Sequence, residues 1–162
     1  MQSTTALTNN PNNTTTAQGM QCLTFSLSGQ RYALPILSVQ EIRRYAPPTS
    51  LPSVPSYVLG VINLRGTVVP VFDLRLRFGC PEAPIDRLTV IIVVSVFGRH
   101  VGLVVDDVSR VLSIQEGMLQ PSPQLASHID ISFVSGLVRD GDALVTLLDI
   151  EKLTADDLGM LR

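Results

Sequence analysis

The strongest constraint on how this chain can fold is that it is written twice. Laying Gly29-Gln30-Arg31-Tyr32-Ala33-Leu34-Pro35-Ile36 over Gly98-Arg99-His100-Val101-Gly102-Leu103-Val104-Val105 sets an offset of 69 residues (98 − 29). Continued without gaps, the same offset puts Val39 on Val108 and Ile42 on Val111. Laying Gly60-Val61-Ile62 over Gly136-Leu137-Val138 gives an offset of 76 (136 − 60), and Val69, Val71, Phe72, Asp73 and Leu74 then fall on Val145, Leu147, Leu148, Asp149 and Ile150. The seven extra residues (76 − 69) belong to one longer loop between Ser113 and Ser135, which holds the polar, proline-containing stretch Met118–Pro123.

Each copy reads strand, tight turn, strand, strand, loop, strand, turn, strand, short helix. The runs Cys22–Leu27, Arg31–Ile36, Val39–Tyr45, Gly60–Leu64 and Thr67–Phe72 supply five strands, and Thr89–Val96, His100–Val105, Val108–Ile114, Ile131–Arg139 and Ala143–Leu148 supply five more. Short strands with glycine at the turns point to an all-β fold of small barrels rather than to βαβ units. Two five-stranded barrels packed along a shared apolar seam satisfy length and repeat together, with the first over about 20–86 and the second over about 87–153. Thr154-Ala155-Asp156-Asp157 resembles a capping box and predicts a terminal helix over 154–162.

Within the first copy, GVINLRGTVVPVFDLR at Gly60–Arg75 is the most informative stretch. Two apolar runs meet across Arg65-Gly66, where glycine supplies the backbone freedom of a tight hairpin turn. Pro70 lacks a backbone donor, so its run is expected at a sheet edge or at a bulge. Asp73 is placed to cap a helical turn over Leu74–Phe78 that Gly79 stops. The result is a hairpin with a cation at its tip and no nucleophile, acid or base beside it.

The chain has 162 residues, 45% of them hydrophobic, and a mean hydropathy of +0.31, which fills a core without disulfides or metal. Tryptophan is absent and only three Tyr and five Phe are present, so Val, Leu and Ile do the filling, in keeping with strands. The net charge is −2, with a single lysine, Lys152, and arginines scattered rather than clustered. That distribution argues against a nucleic-acid footprint and against a polybasic membrane anchor. Cys22 and Cys80 lack a Cys-x-x-Cys spacing and read as two reduced thiols. Met1–Gly19, rich in Ser, Thr, Asn and Gln, carries no basic or apolar run of a signal peptide and is expected to be a disordered tail on a cytoplasmic protein.

No enzyme constellation survives a search of the residues. His100 and His128 have no Cys or carboxylate at ligand spacing, so both read as surface residues. Asp106 and Asp107 are adjacent on a strand, point to opposite faces, and read as solvated charges. Asp73 and Asp149 are explained as helix caps. No Gly-rich phosphate loop or Gly-x-Ser-x-Gly elbow is present. What remains is a recognition surface. Glu41 and Arg43 alternate with Val39 and Ile42, and Arg65 could pair with Glu41. Such a pair is either a solvated salt bridge or a device that orients a partner.

Taken in order, YALPILSVQEI at Tyr32–Ile42, GVINLRGTVVPVFDLR at Gly60–Arg75, VGLVVDDVSRVL at Val101–Leu112, Met118–Pro123 and Gly136–Leu153 resemble the CheW family of bacterial chemotaxis coupling proteins. Together these segments span nearly all of Cys22–Leu153. The resemblance implies two intertwined five-stranded SH3-like barrels and a non-enzymatic adaptor without cofactor or metal. It further implies two partners, the cytoplasmic hairpin tip of methyl-accepting chemoreceptors and the regulatory domain of the histidine kinase CheA. Carried over residue by residue, the receptor groove between the barrels takes in Val39, Glu41, Ile42, Leu64, Arg65, Gly66, Val90 and Val108. An adaptor of a pilus or surface-sensing pathway fits the same residues. A small-barrel nucleic-acid binder is a remote alternative, because the stacking aromatics and basic groove it needs are lacking.

Overall fold

The computed structural model describes residues 19–80, 84–115, 117–121 and 131–160. The polar tail before Gly19 and His128 lie outside the described residues. Ten strands follow one another along the chain: β1 (Met20–Leu27), β2 (Gln30–Pro35), β3 (Val39–Arg44), β4 (Val58–Leu64), β5 (Thr67–Asp73), β6 (Val90–Val96), β7 (Arg99–Val105), β8 (Asp107–Ile114), β9 (Val134–Asp140) and β10 (Ala143–Leu148). Helix α1 (Leu74–Arg77) follows β5, and α2 (Ile150–Met160) follows β10. Among these residues no helix is long and apolar enough to cross a membrane.

The strands form two five-stranded sheets, ordered β8-β1-β2-β10-β9 (sheet I) and β3-β6-β7-β5-β4 (sheet II). Sheet membership therefore corrects the division at residues 86 and 87. Each copy lends its first hairpin, β1–β2 or β6–β7, to the sheet built from the last three strands of the other copy. The exchange is reciprocal, and the sheet orders superimpose when each strand is replaced by its counterpart five places along the chain. Register agrees as well: Leu147 opposes Ala33 in sheet I and Val71 opposes Gly102 in sheet II, the same two positions under the repeat.

Burial shows why the hairpins exchange. Along β6, Ile91 and Val93 point into a small core inside sheet II with Leu64, Val69, Val71 and Val104, while Ile92, Val94 and Val96 point the other way. Along β1 and β2, Cys22 and Ala33 enter a corresponding core inside sheet I with Leu112, Ile114, Val138, Val145 and Leu147. Their neighbours Leu23, Phe25, Leu27, Tyr32 and Leu34 face the same third cluster as Ile92, Val94, Val96, Val101, Leu103 and Val105. That third cluster is the seam, and it is the largest core of the molecule. Strands buried on both faces need apolar residues at successive positions, as β6 has at Ile91–Val94 and β7 at Leu103–Val105. Each sheet thus curls round its own small core as an SH3-like barrel, and the seam joins them.

Several local expectations change in the folded chain. β5 is interior, flanked by β4 and β7, rather than at an edge. Pro70 is tolerated because the ladder to β7 begins at Val71↔Gly102, one residue beyond it. Residues Ile131–Phe133 form a 3-10 turn and not the start of β9. The last helix opens at Ile150, where the Asp149 carboxylate accepts from the Lys152 backbone N–H at 3.2 Å, instead of at a Thr154 capping box. Thr154 lies inside α2 and its hydroxyl donates to the Ile150 carbonyl at 2.9 Å. Gly60 has φ +143°, and a Cβ there would sit 1.9 Å from the Thr49 carbonyl, because the Thr49 segment crosses β4 through two 2.8 Å bonds with Val61. Gln120 crosses β9 at Leu137 in the same way, and a Cβ on Gly136 would meet the Gln120 carbonyl at 2.8 Å. The matched glycines of the repeat make room for these two straps.

Asp73 caps α1 as expected, but it has a second task. Its Oδ1 accepts from the Arg75 backbone N–H and from Arg75 Nε, and its Oδ2 accepts from Arg75 Nη2, all at 2.9 Å. Arg75 Nη1 donates to the Pro84 carbonyl at 2.6 Å and to Asp106 Oδ1 at 3.2 Å, and Asp106 Oδ2 accepts from the Ser28 N–H at 2.7 Å. Asp106 is therefore not a merely solvated charge, since it ties sheet II to the β1–β2 turn of sheet I. Hydrogen bonding to Asp73 is the main cause that raises the Arg75 pKa, against the opposing effect of burial. Replacing Arg75 by Met strands a buried Asp73 carboxylate, so Arg75→Met is expected to lower the unfolding free energy by about 3–5 kcal/mol in urea titration.

The core also sets an alkaline limit. Burial pushes the Cys22 thiol up to about 11 and the Tyr32 phenol, aided by the nearby Cys80 charge, up to about 12. The unfolded chain releases the thiol proton near 9.0 while the folded chain keeps it, so stability is full below that pH and falls as pH rises towards 11. The slope from Cys22 alone is ~1.4 kcal/mol per pH unit. Denaturant midpoints measured from pH 8 to 11 should decline, and Cys22→Ala should flatten the decline above pH 9 despite a lower starting stability.

Candidate functional site

The candidate residues lie on β3, β6, β8 and the β4–β5 turn, and the register sorts them by face. Residues directly opposite in a sheet share a face. Val39 opposes Val94 and Ile42 opposes Ile92, so both look towards the seam, whereas Glu41 opposes Val93 on the barrel side. Val39 and Ile42 are three apart and would face opposite ways in a regular strand. A bulge between Val39 and Glu41 brings them to one face. β8 repeats the arrangement: Val108 opposes Phe25 and Val111 opposes Leu23, again seam-facing on either side of a bulge.

Val39, Val90 and Val108 are half-buried and pack against the seam cluster, while Ile42 and Val111 are 44% and 46% exposed. Five apolar side chains therefore edge the same shared core. Val111 is absent from the residues expected from sequence, although the repeat places it on Ile42. Leu64 goes elsewhere: it is buried inside sheet II against Val69, Val71, Ile91, Val93 and Val104. It supports the hairpin from below and offers no side chain to a partner.

Arg65 and Gly66 form the two-residue β4–β5 turn with φ of +50° and +88°, the pattern of a type I′ turn, and the Asn63 Oδ1 accepts from the Gly66 N–H at 2.8 Å. The same backbone recurs at Ser28-Gly29 and Phe97-Gly98. The β9–β10 turn differs, with glycine first at Gly141. Arg65 Nη2 donates to Glu41 Oε1 at 2.9 Å, and Arg43 Nε lies 3.6 Å from Glu41 Oε2. β3 and β4 are the two outer strands of sheet II and do not pair, so this ion pair clips shut the open side of the barrel. Sheet I has the counterpart between its outer strands, Arg110 of β8 with Asp140 of β9 at 2.6 Å, with the charges exchanged.

An L-residue in the left-handed region costs roughly 1–2 kcal/mol, and an ion pair as exposed as this one returns at most about 1. The Arg65 side chain is 74% exposed and has the better claim to a contact role than to a structural one. The seam-facing valines and Ile42 are apolar groups at the edge of the shared core, while the Glu41–Arg65 pair lies at the open side of sheet II, with Glu41 on the other face of β3. Among the described residues no group of three or more His, Cys, Asp or Glu is placed to hold a metal ion.

A family model described as the CheW-like domain matches residues 21–157. The chain is 40% identical over 139 residues to a chemotaxis protein CheW of Klebsiella aerogenes, covering 86% of this chain and 84% of that one. It is 33% identical over 132 residues to the chemotaxis protein CheW of Bacillus subtilis, covering 81% and 84%. Protein PilI of Pseudomonas aeruginosa is 32% identical over 84 residues, 52% of this chain and 47% of PilI. The crystal structure of a scaffolding protein, TtCheW of Thermoanaerobacter tengcongensis, superimposes with a TM-score of 0.78 at 33% identity, covering 83% of this chain and 87% of that one.

Arg65→Gly removes both the ion pair and the strained φ. It is expected to leave the unfolding free energy within about 1 kcal/mol of the parent in urea. A loss well beyond that makes the guanidinium a structural element.

Proposed function

The chain belongs to the CheW-like domain family, and from that premise we propose that it is a non-enzymatic scaffold of bacterial chemosensory signalling. It acts in the cytoplasm, coupling the hairpin tips of chemoreceptors to the regulatory domain of the histidine kinase CheA. The observation that supports this reading is the set of apolar side chains at the edge of the seam, Val39, Ile42, Val90 and Val108, and we take the exposed Glu41–Arg65 clip as the rim of that contact. Gly66 allows the turn that presents Arg65, and Leu64 packs beneath it.

Physically the mechanism asks for little. An amphipathic helical tip lays apolar side chains on the seam edge, in the helix-in-groove mode. At roughly 25 cal/mol per Å², a few hundred Å² contributes several kcal/mol before the entropic costs of association. Such a modest contact gains strength through multivalency in an array, and kinase control is then a shift of populations within the shared assembly. A pilus-type chemosensory adaptor is the second reading, favoured by the match to PilI. That match covers under half of PilI, whereas the CheW relatives are covered over four-fifths of their length.

Arg65→Glu sets two carboxylates against each other at the rim. It should abolish co-sedimentation with a receptor cytoplasmic fragment, and the accompanying stimulation of CheA, while far-UV circular dichroism stays that of the folded chain. Unchanged binding would sink the assignment of this rim.

A further inference from the structure

The bulge in β8 is held by a device that its counterpart in β3 lacks. Thr24 of β1 is fully buried and sits inside the bulge. Its hydroxyl donates to the Arg110 carbonyl at 2.7 Å and accepts from the Arg110 N–H at 3.1 Å, satisfying both backbone groups of the residue between Val108 and Val111. The Arg110 side chain then reaches across the open side of sheet I to Asp140, donating from Nη2 to Oδ1 at 2.5 Å and to Oδ2 at 2.6 Å. Arg31 Nη2 stands 3.7 Å from the same carboxylate. In the other copy the position of Thr24 is taken by Val93, which has no hydroxyl to bridge the bulge, and Glu41 there is paired with Val93 in the β3–β6 ladder. A bulge decides where the flanking side chains aim. Here it is the reason that Val108 and Val111 both face the seam.

We propose that Thr24 and Asp140, acting through Arg110, are positioning residues that preset the β8 wall of the partner surface. Thr24 fixes the backbone of the bulge and Asp140 fixes the outer end, so Val108 and Val111 need no reorganisation when a partner arrives. This rests on the adaptor reading above. Neither residue need touch the partner, since Thr24 is fully enclosed and the Asp140 side chain is turned to Arg110 and Arg31.

The test measures binding of the full chain to a receptor cytoplasmic fragment, together with amide exchange along β8. Thr24→Val, of nearly equal volume, should weaken binding about tenfold and speed exchange at the Arg110 amide. Thr24→Ser keeps the hydroxyl and should restore both. Val71→Ala, in the core of sheet II with no β8 side chain in its cluster, supplies a control that lowers global stability without loosening β8. Should Thr24→Val fail to fold, Asp140→Asn cuts only the outer tie and should weaken binding about threefold. Equal weakening by Thr24→Val and Val71→Ala at matched stability overturns the proposal, as does faster β8 exchange with unchanged affinity. Failure of the parent chain itself to bind the fragment overturns the adaptor reading, and this one with it.

Discussion

Everything else in the molecule depends on the seam, where the exchanged hairpins β1–β2 and β6–β7 press against each other. Each barrel core alone is small, six or seven buried residues, and a core of that size is a poor basis for an independent domain. The seam cluster holds more buried side chains than the other two together and draws on both copies of the repeat. Exchange makes the arrangement mutual: neither copy can complete its sheet without the other's hairpin. Two barrels joined in this way share one core, and the network of the buried Asp73 and Arg75 with the half-buried Asp106 bolts the crossover between them.

The cost of the arrangement is four strand edges, β3 and β4 on one sheet, β8 and β9 on the other. Unpaired edges invite unwanted pairing, and here each open side is spanned by an ion pair instead. The two pairs carry opposite polarity, Glu41 to Arg65 and Arg110 to Asp140: Glu41 and Arg110 are counterparts in the repeat, while Asp140 sits one residue before Gly141, the counterpart of Arg65. The bulges beside them turn apolar residues of the edge strands towards the seam. The edge strands whose open sides the ion pairs span thus also carry exposed apolar residues, Ile42 and Val111, and the two halves differ in charge.

Much of this was legible from residues alone. All ten strands were found, because short apolar runs between glycine turns leave little alternative, and the Asp73 and Asp149 caps followed from their place before apolar turns. The Arg65–Glu41 contact was foreseen, though as a pair between neighbouring strands and not across an open barrel. Val111 had a signal, its alignment on Ile42, which its odd spacing from Val108 obscured until the bulge was seen. Leu64 looked like its neighbours in the NLRG turn, and only its burial separates it from the surface. Arg75 and Thr24 carried no signal of their task, since their partners Asp106 and Arg110 are far along the chain. Thr154 mimicked a cap because capping motifs are short and recur by chance.

The sequence by itself determined the duplication, the strands, the tight turns and the family, all of which rest on local patterns of side-chain chemistry and backbone freedom. The tertiary structure decided which hairpin joins which sheet, which face of β3 and β8 turns to the seam, and which charges are bolts and which are exposed. The physical reason is that an alternating strand has no mark of its partner. Partner choice is set by burying one face of β1, β2, β6 and β7 at the seam and the other in a barrel core, and that burial exists only once the two copies have come together.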